Sequence, residues 1–322
     1  MKVGFTTSFP MEVVVGAGHQ AIDLNNIFVL NNSQELVANA ERKGFPRNLC
    51  SWIKGMYSTI SSFEIDEVIG IVQGDCSNTH SLMAILKHED TQVIPFSYPY
   101  YREYDLLNEE IERLEKHYNT NRDKTKRIKE KCDTVRKKLI ELDRMSWQDG
   151  LVKGIENHLW LVCSSDFNGN IQQYSEELDD FIKSAKSRKL KKAKYRLGFV
   201  GVPPIIPDLY GFLEEKGARI IFNEVQRQFS MFYMEEDIVN QYLRFTYPYT
   251  LEKRVEDINK EIELRELDGI ISYTQSFCHR QLDHLLLKKY LKCPILQLEG
   301  DQPGKLDERS KIRLESFLEM ID

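Results

Sequence analysis

Short apolar runs punctuate this chain, and each stands next to a stretch whose apolar residues recur at helical spacing. Val68–Val72, Gln92–Phe96, Leu197–Val200, Arg219–Phe222, Gly269–Ser272 and Ile295–Leu298 read as buried strands. Ser81–His88, Asp208–Lys216 and Gln281–Tyr290 read as the helices beside them. The opening MKVGFTTSFP also goes straight into a strand-like segment. Strands alternating with helices predict a parallel sheet with helices on its faces. The alternation occurs twice, over residues 1–100 and 195–322, so the expected fold class is α/β.

The stretch between them has a different pattern. Residues 104–192 carry many charges and almost no strand signal. Leu106, Ile111, Leu114 and Tyr118 stand near helical spacing with Glu and Arg between them, which predicts an amphipathic helical insert. The expected organisation is therefore 1–103, 104–194 and 195–322. The insert closes on KSAKSRKLKKAKYR, with eight basic residues and no acid over 183–196. A charge run of this kind reads as a solvated helix end and linker. The sharper alternative is a landing site for an acidic partner or a nucleotide phosphate.

The two outer parts echo one another. DEVIGIVQGDCSNTHSLMAIL and ELDGIISYTQSFCHRQLDHLLL both run acid, apolar strand, polar turn, cysteine, nearby histidine, apolar helix. Asp66 precedes Cys76 by ten positions, and Asp268 precedes Cys278 by ten. Each unit is followed by a second strand containing proline, Pro95 or Pro294. This layout suggests two pseudo-symmetric halves facing each other across a cleft.

Length and charge narrow the classes. At 322 residues the chain is long for one core. A net charge of −6 is a poor basis for nucleic-acid binding, and none is expected. No apolar run approaches the ~18 residues of a membrane helix, so no membrane association is expected. No charged n-region followed by an apolar h-region opens the chain, which makes cytoplasm the expected compartment. Six cysteines in a chain of this kind do not read as a disulfide framework. Because no CxxC occurs, any metal site has to be assembled from distant loops.

Ligands of open parallel sheets bind at the carboxyl ends of the strands. Cys76 and Cys278 fall there, after a strand and before a helix. Cys50 precedes SWIKGMYSTI, a helix expected after the turn marked by Gly44 and Pro46. Helix N-termini offer free N–H groups and partial positive charge, which favour the metal-ligating thiolate. Cys132 lies mid-helix, Cys163 follows LWLV, and Cys293 sits at the start of a strand; these three read as packed residues. Three thiolates without a fourth suit an iron–sulfur cluster with one open iron better than zinc. His80 and His279 are candidate donors around such a cluster. Glu224 and Arg227 occupy a strand-end loop, NEVQRQFS, from which they could contact substrate. Tyr98, Tyr100 and Tyr101 are expected to cap the first half by packing. GAGHQA at 16–21 is a poor dinucleotide signal: Ala21 stands at the last position and no strong strand–helix unit follows. GxxxxGK[ST], HExxH and GxSxG are all absent.

Taken together, several segments resemble the 2-hydroxyacyl-CoA dehydratase D-component family, which includes benzoyl-CoA reductase subunits and double-cubane-cluster proteins. They are LCSWIKGMY around Cys50, FEIDEVIGIVQGDCSNTHSLM around Cys76 with VIPFSYPY after it, LGFVGVPPIIPDLYGFLEEKGARIIFNE, the unit around Cys278, and the closing CPILQLEGDQPGKLDERSKIRLESFLEM. The resemblance implies two Rossmann-like halves with a helical insert. It also implies a 4Fe–4S cluster held in the cleft between them by Cys50, Cys76 and Cys278. The implied partners are an ATP-dependent iron–sulfur activator, an acyl-CoA substrate, and a second copy or homologous subunit in a dimer. The implied chemistry is dehydration or reduction of a thioester through a ketyl radical, in an anaerobic setting. Alternatives on the same scaffold are a non-catalytic 4Fe–4S electron carrier, a reductase of another small substrate, and a cluster-free binding protein.

Overall fold

The computed structural model describes all 322 residues. Its first sheet holds β1 (Lys2–Phe5), β2 (Gln20–Asp23), β3 (Glu67–Gln73) and β4 (Gln92–Ser97). Its second holds β5 (Tyr195–Gly201), β6 (Ala218–Asn223), β7 (Gly269–Gln275) and β8 (Ile295–Gly300). Every neighbouring pair is parallel. The strand orders are β2-β1-β3-β4 and β6-β5-β7-β8, the same path walked twice. All six strands read from the pattern are present. Their residues are buried on both faces where they run centrally, as in Gly269–Gln275, which is why they read as continuous apolar runs. The fold is thus α/β with two Rossmann-like sheets.

The internal echo extends to single hydrogen bonds. Asp66 accepts from the Lys2 N–H at 2.7 Å, and its own N–H donates to the Lys2 carbonyl at 3.0 Å. Asp268 accepts from the Arg196 N–H at 2.7 Å and donates to the Arg196 carbonyl at 2.9 Å. Each aspartate pins the start of the strand that carries a cysteine at its far end to the central strand beside it.

One strand is missing from the sequence reading. Gly16 ends the short helix Glu12–Gly16, Gly18 stands in the turn after it at φ +84°, and a strand–helix unit does follow: β2, then the helix Leu24–Leu30. Its four residues, QAID, form an edge strand too short to show a period. Between the sheets run the helices Tyr104–His117, Arg122–Trp147, Gly154–Val162 and Ile171–Lys186. The stripe on the first of these is Leu107, Ile111, Leu114 and Tyr118; Leu106 points out, 47% exposed. Leu107, Leu139, Leu142 and Leu178 join Val3, Phe5, Ile69 and Phe96 in one buried cluster, so these helices close over a face of the first sheet. In the basic run, Lys186 pairs with Glu141, Arg188 with Glu156 and Lys194 with Asp322, as a solvated helix end and linker would. Tyr98 is buried with its hydroxyl on the Ser8 carbonyl, but Tyr100 and Tyr101 are exposed at 61% and 78% and cap nothing.

Candidate active site: a thiol-lined cavity between the sheets

In each sheet the chain leaves the first strand toward one edge and then returns to the other side. That makes the gaps between β1 and β3 and between β5 and β7 the switch points, where the strand-end loops diverge. Both gaps open on one cavity of about 620 Å³. Thr6 and Thr7 line it from the end of β1, and Asp75 and Cys76 from the end of β3. Val202–Pro207 come from the end of β5, and Gln275 and Cys278 from the end of β7. Cys50 enters at the start of the helix Ser51–Ser62.

The three thiols singled out from the sequence therefore face a common space, and they are close enough for the charge of Cys76 and Cys278 to be felt at Cys50. Each stands at the start of a helical turn and receives its N–H groups. Trp52 and Ile53 supply them to Cys50, Asn78 to Cys76 and Arg280 to Cys278. The lowered thiol pKa expected at helix N-termini does not result. Burial outweighs those N–H bonds, pushing Cys50 up to about 12 and Cys76 and Cys278 above the ordinary thiol value. No three His, Cys, Asp or Glu side chains are drawn together into a ready-made metal-binding group. What the cavity offers is three sulfur donors with N–H support, the donor type that Fe–S clusters take.

Other residues fall differently from their sequence reading. Cys132 is buried in the long helix Arg122–Trp147, and Cys293 is half-buried beside the second sheet's core. Cys163 is buried as expected but also lines the cavity. His279 lines it too, its basicity lowered by burial and by Arg280. His80 instead turns back to the Val72 carbonyl at 2.7 Å and lies outside the lining. Glu224 and Arg227 are not in a loop reaching substrate. They sit in the buried helix Glu224–Phe229, where Glu224 takes a two-pronged contact from Arg254 at 2.5 and 2.8 Å and Arg227 pairs with Asp257.

The cavity has groups the sequence reading passed over. Asp75, beside Cys76, is half-buried, with its carboxyl pushed up to about 6 by desolvation against the pull of Arg280. Arg280 lies over the Tyr247 ring at 4.2 Å, donates to the Tyr247 carbonyl at 2.8 Å and has no partner for Nε. Asp283 holds both Arg280, at 3.4 Å, and Arg254, at 3.0 Å. Glu224 thus ends a chain of ion pairs, Glu224–Arg254–Asp283–Arg280, that anchors a cavity cation from outside. Gln275 donates to the Tyr273 hydroxyl and leaves its buried carbonyl oxygen unpaired. His158 takes a bond from Gln226 at Nδ1. The available signal for Asp75 and Arg280 was their place next to the strand-end cysteines.

The family described as 2-hydroxyglutaryl-CoA dehydratase, D-component, matches residues 6–321. The chain belongs to that family. The match takes in β2 to β8 and the helices between the sheets, so the cavity lining and the three thiols all fall inside it. No curated protein matches the chain. No helix is long and apolar enough to cross a membrane.

Proposed function

We propose that this member of the dehydratase D-component family is an iron–sulfur subunit whose Cys50, Cys76 and Cys278 hold a 4Fe–4S cluster in the cavity, where an acyl-CoA thioester is dehydrated or reduced. The observation that carries the reading is that three thiols, from both halves of the chain, line one cavity at both switch points. Bound there, the cluster would supply a low-potential one-electron couple and a Lewis-acidic iron. The electron would come from an ATP-dependent activator, and a second copy or a homologous subunit would complete a dimer. A cavity with room for an acyl group beside the thiols supports an enzyme over a bare electron carrier.

The chain's own groups then have distinct tasks. Backbone N–H groups of Trp52, Ile53, Asn78 and Arg280 offset sulfur negative charge. Arg280, fixed by Asp283 and Tyr247, places positive charge where electron density grows on a substrate oxygen. Burial of the lining excludes water from the reduced substrate. Anaerobic iron content and absorbance test the reading. Cys→Ser at 50, 76 or 278 should each lose the iron held by the wild type, and the same change at 132 or 293 should not. Equal retention in all five variants would overturn the ligand assignment.

A further inference from the structure

The segment Phe245–Tyr249, in the turn between the helices Ile238–Arg244 and Leu251–Arg265, touches two of the cysteine-bearing loops. On one side it meets the turn after β3. Gly74 stands there at φ +98°, and a Cβ on it would lie 2.7 Å from Pro248 Cβ and 2.9 Å from the Pro248 carbonyl oxygen, so only glycine lets the two backbones come this close. The next residue, Asp75, accepts from the Tyr247 hydroxyl at 3.4 Å, and Cys76 follows it. On the other side the same tyrosine holds the turn after Cys278. Its carbonyl accepts from Arg280 Nη2 at 2.8 Å, and the guanidinium carbon lies 4.2 Å from its ring centre. Tyr247 itself is buried, edge-on to Phe229 at 5.7 Å and stacked on Phe245 at 6.1 Å. Burial first, and Asp75 second, hold its phenol above the usual range, so the hydroxyl stays a donor.

We propose that Tyr247 is a positioning residue for the cluster site: its hydroxyl on one side, and its carbonyl and ring on the other, brace the Cys76 and Cys278 loops at a fixed separation before any iron binds. The inference rests on the ligand assignment above and adds a residue that touches no sulfur-bearing side chain's iron itself. Cys76 follows a strand of the first sheet and Cys278 a strand of the second, so neither sheet alone sets the distance between them. Arg280 and Asp75 also attract one another, and the tyrosine stands between the two with a contact to each. Ligands already spaced for their group bind it more tightly, and a loosened support lets it go.

Two single-hydroxyl deletions separate bracing from packing. Y247F removes the arm to Asp75 and leaves the ring against Arg280, Phe229 and Phe245. Y98F takes a hydroxyl from the same aromatic cluster, but one that is spent on the Ser8 carbonyl at 2.8 Å and reaches no cysteine loop. Each full-length protein is reconstituted anaerobically with iron and sulfide. Iron release to a chelator is then timed, and the electron paramagnetic resonance of the dithionite-reduced protein is recorded. Y247F should take up iron, release it about tenfold faster than the wild type and shift the resonance. Its iron-free melting temperature should fall no further than that of Y98F, which should keep wild-type release. Wild-type release and resonance in Y247F overturn the inference and leave the ligand assignment standing. Release from Y98F as fast as from Y247F overturns it as well, since a loosened aromatic cluster would then suffice. Wild-type protein that takes up no iron removes the ligand assignment and the inference together.

Discussion

Asp23 and Asp166 show how much of this molecule's chemistry is decided by single buried side chains. Asp166 accepts the Asp23 N–H at 2.8 Å, Asp23 accepts the Ser165 hydroxyl at 2.6 Å, and burial raises both carboxyls, Asp166 to about 7. A carboxyl raised above its unfolded value holds its proton in the native state over a range where the unfolded chain has lost it. Its contribution is therefore full below about pH 4 and is lost as pH rises through about 7. D166N should flatten the fall in urea stability between pH 5 and pH 7.5 relative to wild type. An unchanged pH slope would show that the pair is not the source. At this scale the sequence was legible only where a residue's role is local. Cys50, Cys76 and Cys278 could be found because a thiol at a strand end or helix start is a short-range pattern. Glu224 and Arg227 had the same local signature and a different fate, because their partners Arg254 and Asp257 lie about thirty positions on. His158 gave no signal, since its burial against Tyr210 is made by the meeting of two distant elements.

Elements were read better than residues, and failures have particular causes. The central strands announce themselves because both faces are buried; β2 does not, because four edge residues cannot display a period. In the helix Tyr104–His117 the stripe expected at Leu106, Ile111, Leu114 and Tyr118 differs at its first position alone, because Leu106 and Leu107 are adjacent and only packing decides between them. Turns carry constraints of their own. Gly201 ends β5 at φ +104°, and a Cβ there would lie 2.0 Å from the Tyr273 carbonyl oxygen. G201A should cost at least about 2 kcal/mol and displace the Val202–Pro207 wall, so thermal stability and acyl-CoA affinity should fall together. The ion-pair chain is testable at this scale too. Arg254 and Glu224 are almost fully buried, so R254M leaves a carboxylate unpaired in the interior and should cost about 3 kcal/mol or more in urea unfolding. If Asp283 alone held Arg280, affinity would survive that loss; the chain of pairs predicts that it weakens in the protein that remains folded.

On the scale of the whole molecule, the duplicated path β2-β1-β3-β4 and β6-β5-β7-β8 sets the proposed ligands on opposite sides of a boundary. Cys50 and Cys76 pack beside the first sheet and Cys278 follows a strand of the second, while one large core cluster already joins the first sheet to Val225, Tyr242 and Tyr247 of the second half. A group bound by all three sulfurs binds only when both halves are folded and apposed, so its binding energy is shared between them. Iron-loaded protein should therefore unfold in one transition at a higher temperature. Anaerobic removal of iron by a chelator should lower that temperature, and C278S should lower it equally with no further loss on chelation. C132S, whose sulfur is buried in the long helix, should keep the iron-dependent rise whatever its own packing cost. The comparison isolates the bridge from ordinary packing, because a thiol that served only the core would shift loaded and iron-free protein by the same amount. A chelator that lowers the melting temperature of C278S as much as that of the wild type would show that any iron present is held elsewhere.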